Sequence, residues 1–396
     1  MKEIYVIATS RTPIGKFGSA FKDVSPAELG AAALKDALKR AGVEGKNLDL
    51  YTVGNVLRGG QGQAVSRQVA LLAGVPIEVD GFAVDMVCSS GMAAVMAGAM
   101  AIKASDASLV AAGGTESMSQ AALAYPASVR WGVKHLIGKE VKLMDLMLTD
   151  GLIDPMSGEM MGIQTERVAA AHNITREELD EVAYNSHKRA SAATENGAFA
   201  REIVPVTVKT RKGDIVVDKD EGIRPQTSME SLAKLRPAFK KDGVLTAGNS
   251  SQISDGAAML ILADQKAVKR HNLKPVAKII GYSWLGGEGW EFSNIPGKAT
   301  DKLLEKLDMK IDEFDYFETN EAFAINNVLL HKHFSIDYEK INAFGGAVAL
   351  GHPIGASGAR IIGTLINVLQ NKNAKKGIAM ICHGLGGATA IAIEKI

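Results

Sequence analysis

The chain has 396 residues, enough for two or three domains' worth of core, and its 46% hydrophobic and 22% charged residues are ordinary for a folded globular protein. A formal net charge of +1 excludes nucleic-acid binding through a general basic excess, so a polyanionic ligand has to be met by a local cluster. The two cysteines, Cys88 and Cys382, lie far apart in sequence, which excludes a disulfide framework or a four-cysteine metal site and fits a reducing compartment. No apolar run is expected to reach bilayer-spanning length. The N-terminal MKEIYVIATSRTP has the pattern of a strand and turn rather than of a leader, and the last residues carry no peroxisomal tripeptide. The expected setting is therefore the cytoplasm, with no membrane contact.

In chain order, residues 3–9 are rich in β-branched residues and predict a strand. Ser25 and Pro26 then supply the cap and first position of a helix. Residues 50–56 predict a second strand, 64–73 a helix, and 81–87 the strand that runs into Cys88-Ser89-Ser90-Gly91. The run from Met92 to Ala104 is apolar on nearly every side, which predicts a buried helix rather than an amphipathic one. Residues 107–112, followed by Gly113-Gly114, have the pattern of a strand covered on both faces. From about 118 to 244 the sequence becomes methionine-rich, charged and turn-rich, and it contains a helix over 175–193 with Thr175 and Glu178 as a capping box; this predicts an inserted domain. After 245 the layered pattern returns. In the last third, Ser357-Gly358 opens a buried helix and residues 377–381 form a strand followed by paired glycines, an echo of Ser90-Gly91 and of the strand after it. Alternating strands and helices predict an α/β protein, and the echo predicts two similar halves that bring Cys88, His352 and Cys382 to one junction.

Three residues at that junction carry chemistry. Cys88 lies at a helix start, where unpaired N–H groups and the helix dipole favour a thiolate and any oxyanion beside it; the same residue type also fills cores. His352 is followed by Pro353 and flanked by Gly351 and Gly355, a tight display loop ill-suited to a core filler. Cys382 ends a buried strand whose following glycines at 384, 386 and 387 admit close approach of a substrate. The pair Asn320-Glu321, after an aromatic-rich strand, suits a helix cap or a polar site. A basic cluster from Lys234 to Lys241 suits a solvated face or a nucleotide phosphate.

Five motifs, in this order, resemble those of the thiolases over essentially the whole chain, and of the biosynthetic acetyl-CoA acetyltransferases among them. They are Arg11-Thr12-Pro13-Ile14-Gly15, Val87-Cys88-Ser89-Ser90-Gly91, Asn320-Glu321-Ala322-Phe323, Gly351-His352-Pro353-Ile354-Gly355-Ala356-Ser357-Gly358, and Cys382-x-Gly384-x-Gly386. The resemblance implies a five-layered α-β-α-β-α fold. One half comprises residues 1–117 with 245–270, a loop domain over 118–244 serves coenzyme A binding and oligomer contacts, and residues 271–396 form the second half. It also implies dimers or tetramers.

For chemistry, the resemblance implies that Cys88 takes an acyl group from a coenzyme A thioester with His352 as its base. Cys382 then takes the α-proton of a second acetyl-CoA. Asn320 holds a water that works with His352 on the enolate oxygen, and the N–H groups of Cys88 and Gly384 hold the tetrahedral oxyanion. Arg224, Ser231, Ser251, Met161 and Phe323 match positions that contact coenzyme A or line the acyl pocket. Acetyl-CoA, acetoacetyl-CoA and coenzyme A are the implied ligands, with no metal and no further cofactor. Met160, Phe344, His383 and Leu385 depart from the biosynthetic pattern, while residues 221–225 and 248–252 resemble the degradative 3-ketoacyl-CoA thiolases. A longer-chain thiolase is the alternative enzyme, and a non-catalytic acyl-CoA-binding protein the alternative of another class.

Overall fold

A computed structural model of the chain describes residues 2–396 apart from Val133, His135 and Lys139. The strands that build its main sheet are β1 (Ile4–Arg11), β2 (Leu50–Gly54), β3 (Gly81–Val84), β4 (Leu109–Ser117), β5 (Ser254–Ala263), β6 (Ala277–Gly286), β7 (Tyr316–Thr319), β8 (Lys376–His383) and β9 (Gly387–Lys395). The helices that matter for the site are α1 (Pro26–Ala41), α2 (Val65–Leu72), α3 (Ser90–Ala104), α4 (Met161–Ala171), α5 (Arg176–Glu195), α6 (Met229–Ala233), α7 (Ile295–Leu307), α8 (Ile325–Phe334) and α9 (Ser357–Asn371).

Sheet order shows the internal repeat directly. The first half runs β3-β2-β4-β5-β1 and the second β7-β8-β9-β6. In each half the inner crossover is parallel (β2 with β4, β7 with β8), and the next pairings are antiparallel (β4-β5-β1, β8-β9-β6). The second half has no full counterpart of β3; a single parallel bridge from Ile341 to Phe317 stands in its place. Ile4, Tyr5 and Val6 pair antiparallel with Ile279, Lys278 and Ala277, so the two halves share one continuous sheet through β1 and β6.

Capping residues act where the sequence predicts them. Ser25 accepts from the Glu28 N–H, and Thr175 from that of Glu178, each closing a capping box. One apolar core lies between α1, α2 and the first-half strands, with Leu29, Leu34, Val53, Val69 and Ile261. Another lies between α7 and the second-half strands, with Leu303, Phe317, Ile378 and Met380. A third holds α3 and α9 in the middle layer, where Met92, Val95 and Ile102 meet Ile362, Leu365, Leu260 and Ile391. Helix, sheet, helix, sheet, helix is the resulting order of layers.

The middle helices touch at their first turns because both open with Ser-Gly. A Cβ on Gly358 would stand 2.3 Å from the Met92 nitrogen, and one on Gly91 2.9 Å from the Gly355 carbonyl oxygen. Only glycine permits that approach, which seats the two helix starts side by side. Val87–Ala104 corrects one expectation. At 18 residues and mean hydropathy 1.4 it is as long and apolar as a short membrane span, yet two-thirds of it is buried in this layer, so its apolarity is that of a core helix.

Residues between β4 and β5 clasp both halves. Val206, Val208 and Val217 join the core under α1, while Val168, Leu179 and Val182 of α4 and α5 pack with Ala322, Phe323, Ile325 and Cys382.

Candidate active site

Cys88 follows β3 by one tight turn. Val87 is held at φ +47°, the Ser90 hydroxyl accepts the Met86 N–H at 2.9 Å and donates to the Val87 carbonyl at 2.6 Å, and α3 starts there. Burial pushes the Cys88 thiol up to about 12, although the N–H groups of Gly384 and of Cys88 itself point at the sulfur and favour the thiolate. With Cys88 only 8% exposed, desolvation outweighs two amide dipoles, and the resting site holds a thiol that needs a base.

Cys382, next to last in β8, is raised first by burial and then by neighbouring Cys88, so the two sulfurs sense each other across one site. Asn326 Nδ2 donates to the Cys382 sulfur at 3.8 Å, and Ser89 Oγ donates to the Ile381 carbonyl at 3.3 Å, tying the start of α3 to the end of β8. His352 is fixed by its N–H, which donates to the Gln252 carbonyl at 3.0 Å. Its Nδ1 is 2.6 Å from Ser357 Oγ, and Asn320 Nδ2 stands 3.3 Å and 3.2 Å from Nδ1 and Nε2. Burial, aided by Arg360, depresses the imidazole to about 3, so the ring is neutral at physiological pH. The ring's hydrogen bonds run to Ser357 and Asn320 rather than to Cys88. Asn320 Oδ1 is buried without a protein partner, an acceptor left for a molecule entering the site.

Three of the five binding candidates, Ser251, Phe323 and Met161, converge on this point. Residues 249–251 pair with 322–324, through the Ser251 N–H to the Ala322 carbonyl at 3.0 Å and the Ala324 N–H to Asn249 at 2.9 Å. Phe323 packs edge-on against Phe239 and Phe292, with centroids 6.0 and 6.4 Å away. Met161 abuts Gly384, its sulfur 3.6 Å from where a Cβ would sit. Arg224 is exposed, and its N–H donates to His187 Nδ1 at 3.1 Å; the neighbouring Gly222 carbonyl accepts from Gln252, whose own carbonyl holds His352. Ser231 stands apart. It is exposed on α6, where its hydroxyl closes a capping box with Ser228. Lys234 pairs with Glu230 on the same helix, and Arg236, Lys240 and Lys241 are exposed.

Family models for the thiolase N-terminal domain and the thiolase C-terminal domain match residues 4–266 and 273–395. The chain belongs to the thiolase family. This thiolase is 52% identical, over the full length of both chains, to the acetyl-CoA acetyltransferase of Synechocystis sp.. Its fold superposes on the acetyl-CoA acetyltransferase of Bacillus anthracis with a TM-score of 0.96 at 40% identity, covering 100% of this chain and 99% of that one. The human mitochondrial 3-ketoacyl-CoA thiolase gives the same TM-score and coverage at 37% identity. The protein is accordingly an acyltransferase.

The structure adds residues to this thiolase's site that motif reasoning passed over. Glu116, fully buried on β4, accepts from Asn55 Nδ2 and from the N–H groups of Val56, Leu57 and Gly355 at 2.9–3.2 Å, bracing the loop that carries His352. Glu321 at φ +49° caps no helix; its carboxylate takes hydrogen bonds from Ser186, Asn327, Asn342 and the Val348 N–H, and so fixes the segment that displays Asn320. Asn326 sits in the first turn of α8 beside Asn327, ahead of the apolar Val328-Leu329-Leu330. Among the departures from the biosynthetic pattern, Phe344 packs edge-on against Phe199, Met160 is 38% exposed at the start of α4, and His383 Nδ1 bonds the Gly384 carbonyl at 2.7 Å. Leu385, at φ +66°, is exposed.

Proposed function

We propose that this thiolase is an acetyl-CoA C-acetyltransferase that condenses two acetyl-CoA to acetoacetyl-CoA and coenzyme A, reversibly, through an acetyl-cysteine. The observation that carries the reading is the meeting of two free, buried cysteines with a neutral histidine and an asparagine amide in one site. In the first half-reaction the Cys88 sulfur attacks the thioester carbonyl as His352 takes its proton, and the N–H groups of Cys88 and Gly384 hold the oxyanion. Collapse expels coenzyme A as its thiolate takes the proton of Cys382, so that His352 keeps the proton from Cys88 and Cys382 is left as the thiolate base. In the second, Cys382 removes an α-proton from a new acetyl-CoA. The enolate oxygen is held by the Nε2–H that His352 gained from Cys88 and by a water on Asn320 Oδ1, and the carbanion attacks the acetyl group on Cys88, whose departing thiolate takes its proton back from His352. One oxyanion-hole donor is worth roughly 3–4 kcal/mol of transition-state stabilisation.

Acetyl-CoA treatment followed by peptide mass spectrometry tests the first step: an acetyl adduct on Cys88 is expected, absent in Cys88→Ser. Cys382→Ser should keep the adduct and lose exchange of α-protons with solvent. A fully active Cys88→Ser sinks the reading. No adduct on the unaltered protein would leave a binding protein without turnover.

A longer-chain 3-ketoacyl-CoA thiolase is the second reading, favoured by residues 221–225 and 248–252 and by an equal fold match to both classes. Thiolysis rates on acetoacetyl-CoA and on a longer 3-ketoacyl-CoA decide: faster cleavage of the longer substrate overturns the acetyl-specific assignment. We also infer a homo-oligomer, dimer or tetramer. Support comes from edge strand β3 with Phe82 48% exposed, beside exposed Leu71 and Leu72 of α2 and Met100 of α3. Two free cysteines support a cytoplasmic setting.

A further inference from the structure

We infer that Ser357 is a positioning residue that holds His352 as its Nδ1–H tautomer, leaving Nε2 as the ring's only proton acceptor. The inference rests on the reading of His352 as the base for Cys88 and specifies how the fold prepares it.

The argument starts from the repeat. Ser90 and Ser357 are equivalent first residues of α3 and α9. Ser90 uses both functions of its hydroxyl on backbone, accepting the N–H of the residue four before it, Met86, and donating to the Val87 carbonyl. The residue four before Ser357 is Pro353, which has no N–H to give. Ser357 Oγ donates to the Pro353 carbonyl at 2.9 Å, and the lone pair that Ser90 spends on Met86 is left 2.6 Å from His352 Nδ1.

A hydroxyl carries one hydrogen. Turned to the carbonyl, it obliges Nδ1 to be the donor. Turned to Nδ1, it would set the hydroxyl lone pairs against the Pro353 carbonyl oxygen at 2.9 Å in a site with no solvent, since Ser357 is fully buried. Asn320 Nδ2, 3.3 Å from Nδ1 and 3.2 Å from Nε2, faces both ring nitrogens alike and does not choose between them, so the serine decides. A neutral imidazole has one N–H, and the serine assigns it to Nδ1. Proline after the histidine therefore has a second use. Besides extending the loop, it frees the serine.

Neutron diffraction from crystals of the intact protein grown in heavy water reads the tautomer without any substitution. A deuteron on Nδ1 with Nε2 bare is expected, and a deuteron on Nε2 with Nδ1 bare overturns the inference. In Ser357→Ala the rate of Cys88 acetylation should fall about 10- to 100-fold, the usual loss when a partner that orients a ligating or catalytic histidine is removed. The KM for acetyl-CoA should change much less, because the serine touches no substrate. Ser357→Ala acetylating at the unaltered rate would also overturn the inference. Unaltered protein with its deuteron on Nδ1 but no acetyl-cysteine would refute the condensing reading and leave the Ser357 assignment standing.

Discussion

At the scale of single residues, the site is built by buried polar groups whose hydrogen bonds are nearly all spoken for. Glu116 illustrates the cost. Burial pushes its carboxyl up to about 8 against four donors that favour the anion. Those donors come from residues 55–57 and from Gly355, so one side chain joins the end of β2 to the His352 loop. Glu116→Gln keeps the shape but replaces one oxygen by an amide NH2, a donor that faces N–H groups. Leaving two buried donors without acceptors costs roughly 2–5 kcal/mol, to be read as a lower urea midpoint at unchanged m-value. Acetylation of Cys88 should slow in parallel, because the same loop presents the histidine. A variant as stable and as fast as the unaltered protein would mean that Glu116 braces nothing.

At the scale of elements, the crossing of α3 and α9 sets where the two cysteines and the histidine meet. Gly358→Ala places a methyl 2.3 Å from a backbone nitrogen of the facing helix, a contact relieved only by parting the helices. The expected loss is roughly 1–3 kcal/mol, with activity falling as the site opens. Gly363, one and a half turns along the same helix, is the matched control. Its added methyl would meet only Thr9, at 3.6 Å, an ordinary contact. Alanine there gains up to about 1 kcal/mol of helix propensity, so Gly363→Ala should be neutral or stabilising in the same denaturation experiment. Two Gly→Ala changes in one helix with opposite signs test the crossing rather than glycine in general.

This layer was largely legible in the sequence, since a run apolar on all sides has nowhere to go but between sheets, and its Ser-Gly opening recurs at Ser357-Gly358. The polar braces were not legible. Glu116, Glu321 and Asn326 act through partners tens to hundreds of residues away, and nothing local separates a buried carboxylate from a solvated one. The balance at Cys88 was not legible for a related reason: a helix start is a sequence feature, but the desolvation that outweighs it depends on how the remainder of the chain closes over the sulfur.

At the scale of the whole molecule, β3 is an open sheet edge flanked by apolar side chains, the feature a second copy would cover. Phe82→Glu sets a charge on that edge, and the mass by analytical ultracentrifugation should drop from dimer or tetramer to monomer; an unchanged mass would place the contact elsewhere. Acid stability is a second property of the whole, because groups on several elements oppose one another. Burial depresses His352 to about 3 and, together with Arg224, His187 to about 4. Above the ordinary imidazole value, near 6.5, folded and unfolded chains are both neutral at these rings. As pH falls below it, the unfolded chain binds protons that the folded one refuses, so stability is lost toward the folded values. Glu116, Glu318 and Glu321 work in the other direction: burial raises their carboxyls, and their contribution is present in acid and lost as pH rises through the folded values. The share of one histidine is therefore best read as a difference. His187→Gln retains an acceptor for the Arg224 N–H but cannot take up a proton. Between pH 7 and pH 5 the unaltered protein should lose about 2 kcal/mol more than this variant, from 1.36 kcal/mol per pH unit over the interval in which only the unfolded ring titrates. Parallel stability curves for the two proteins would show that His187 takes up its proton in the folded state as readily as in the unfolded one.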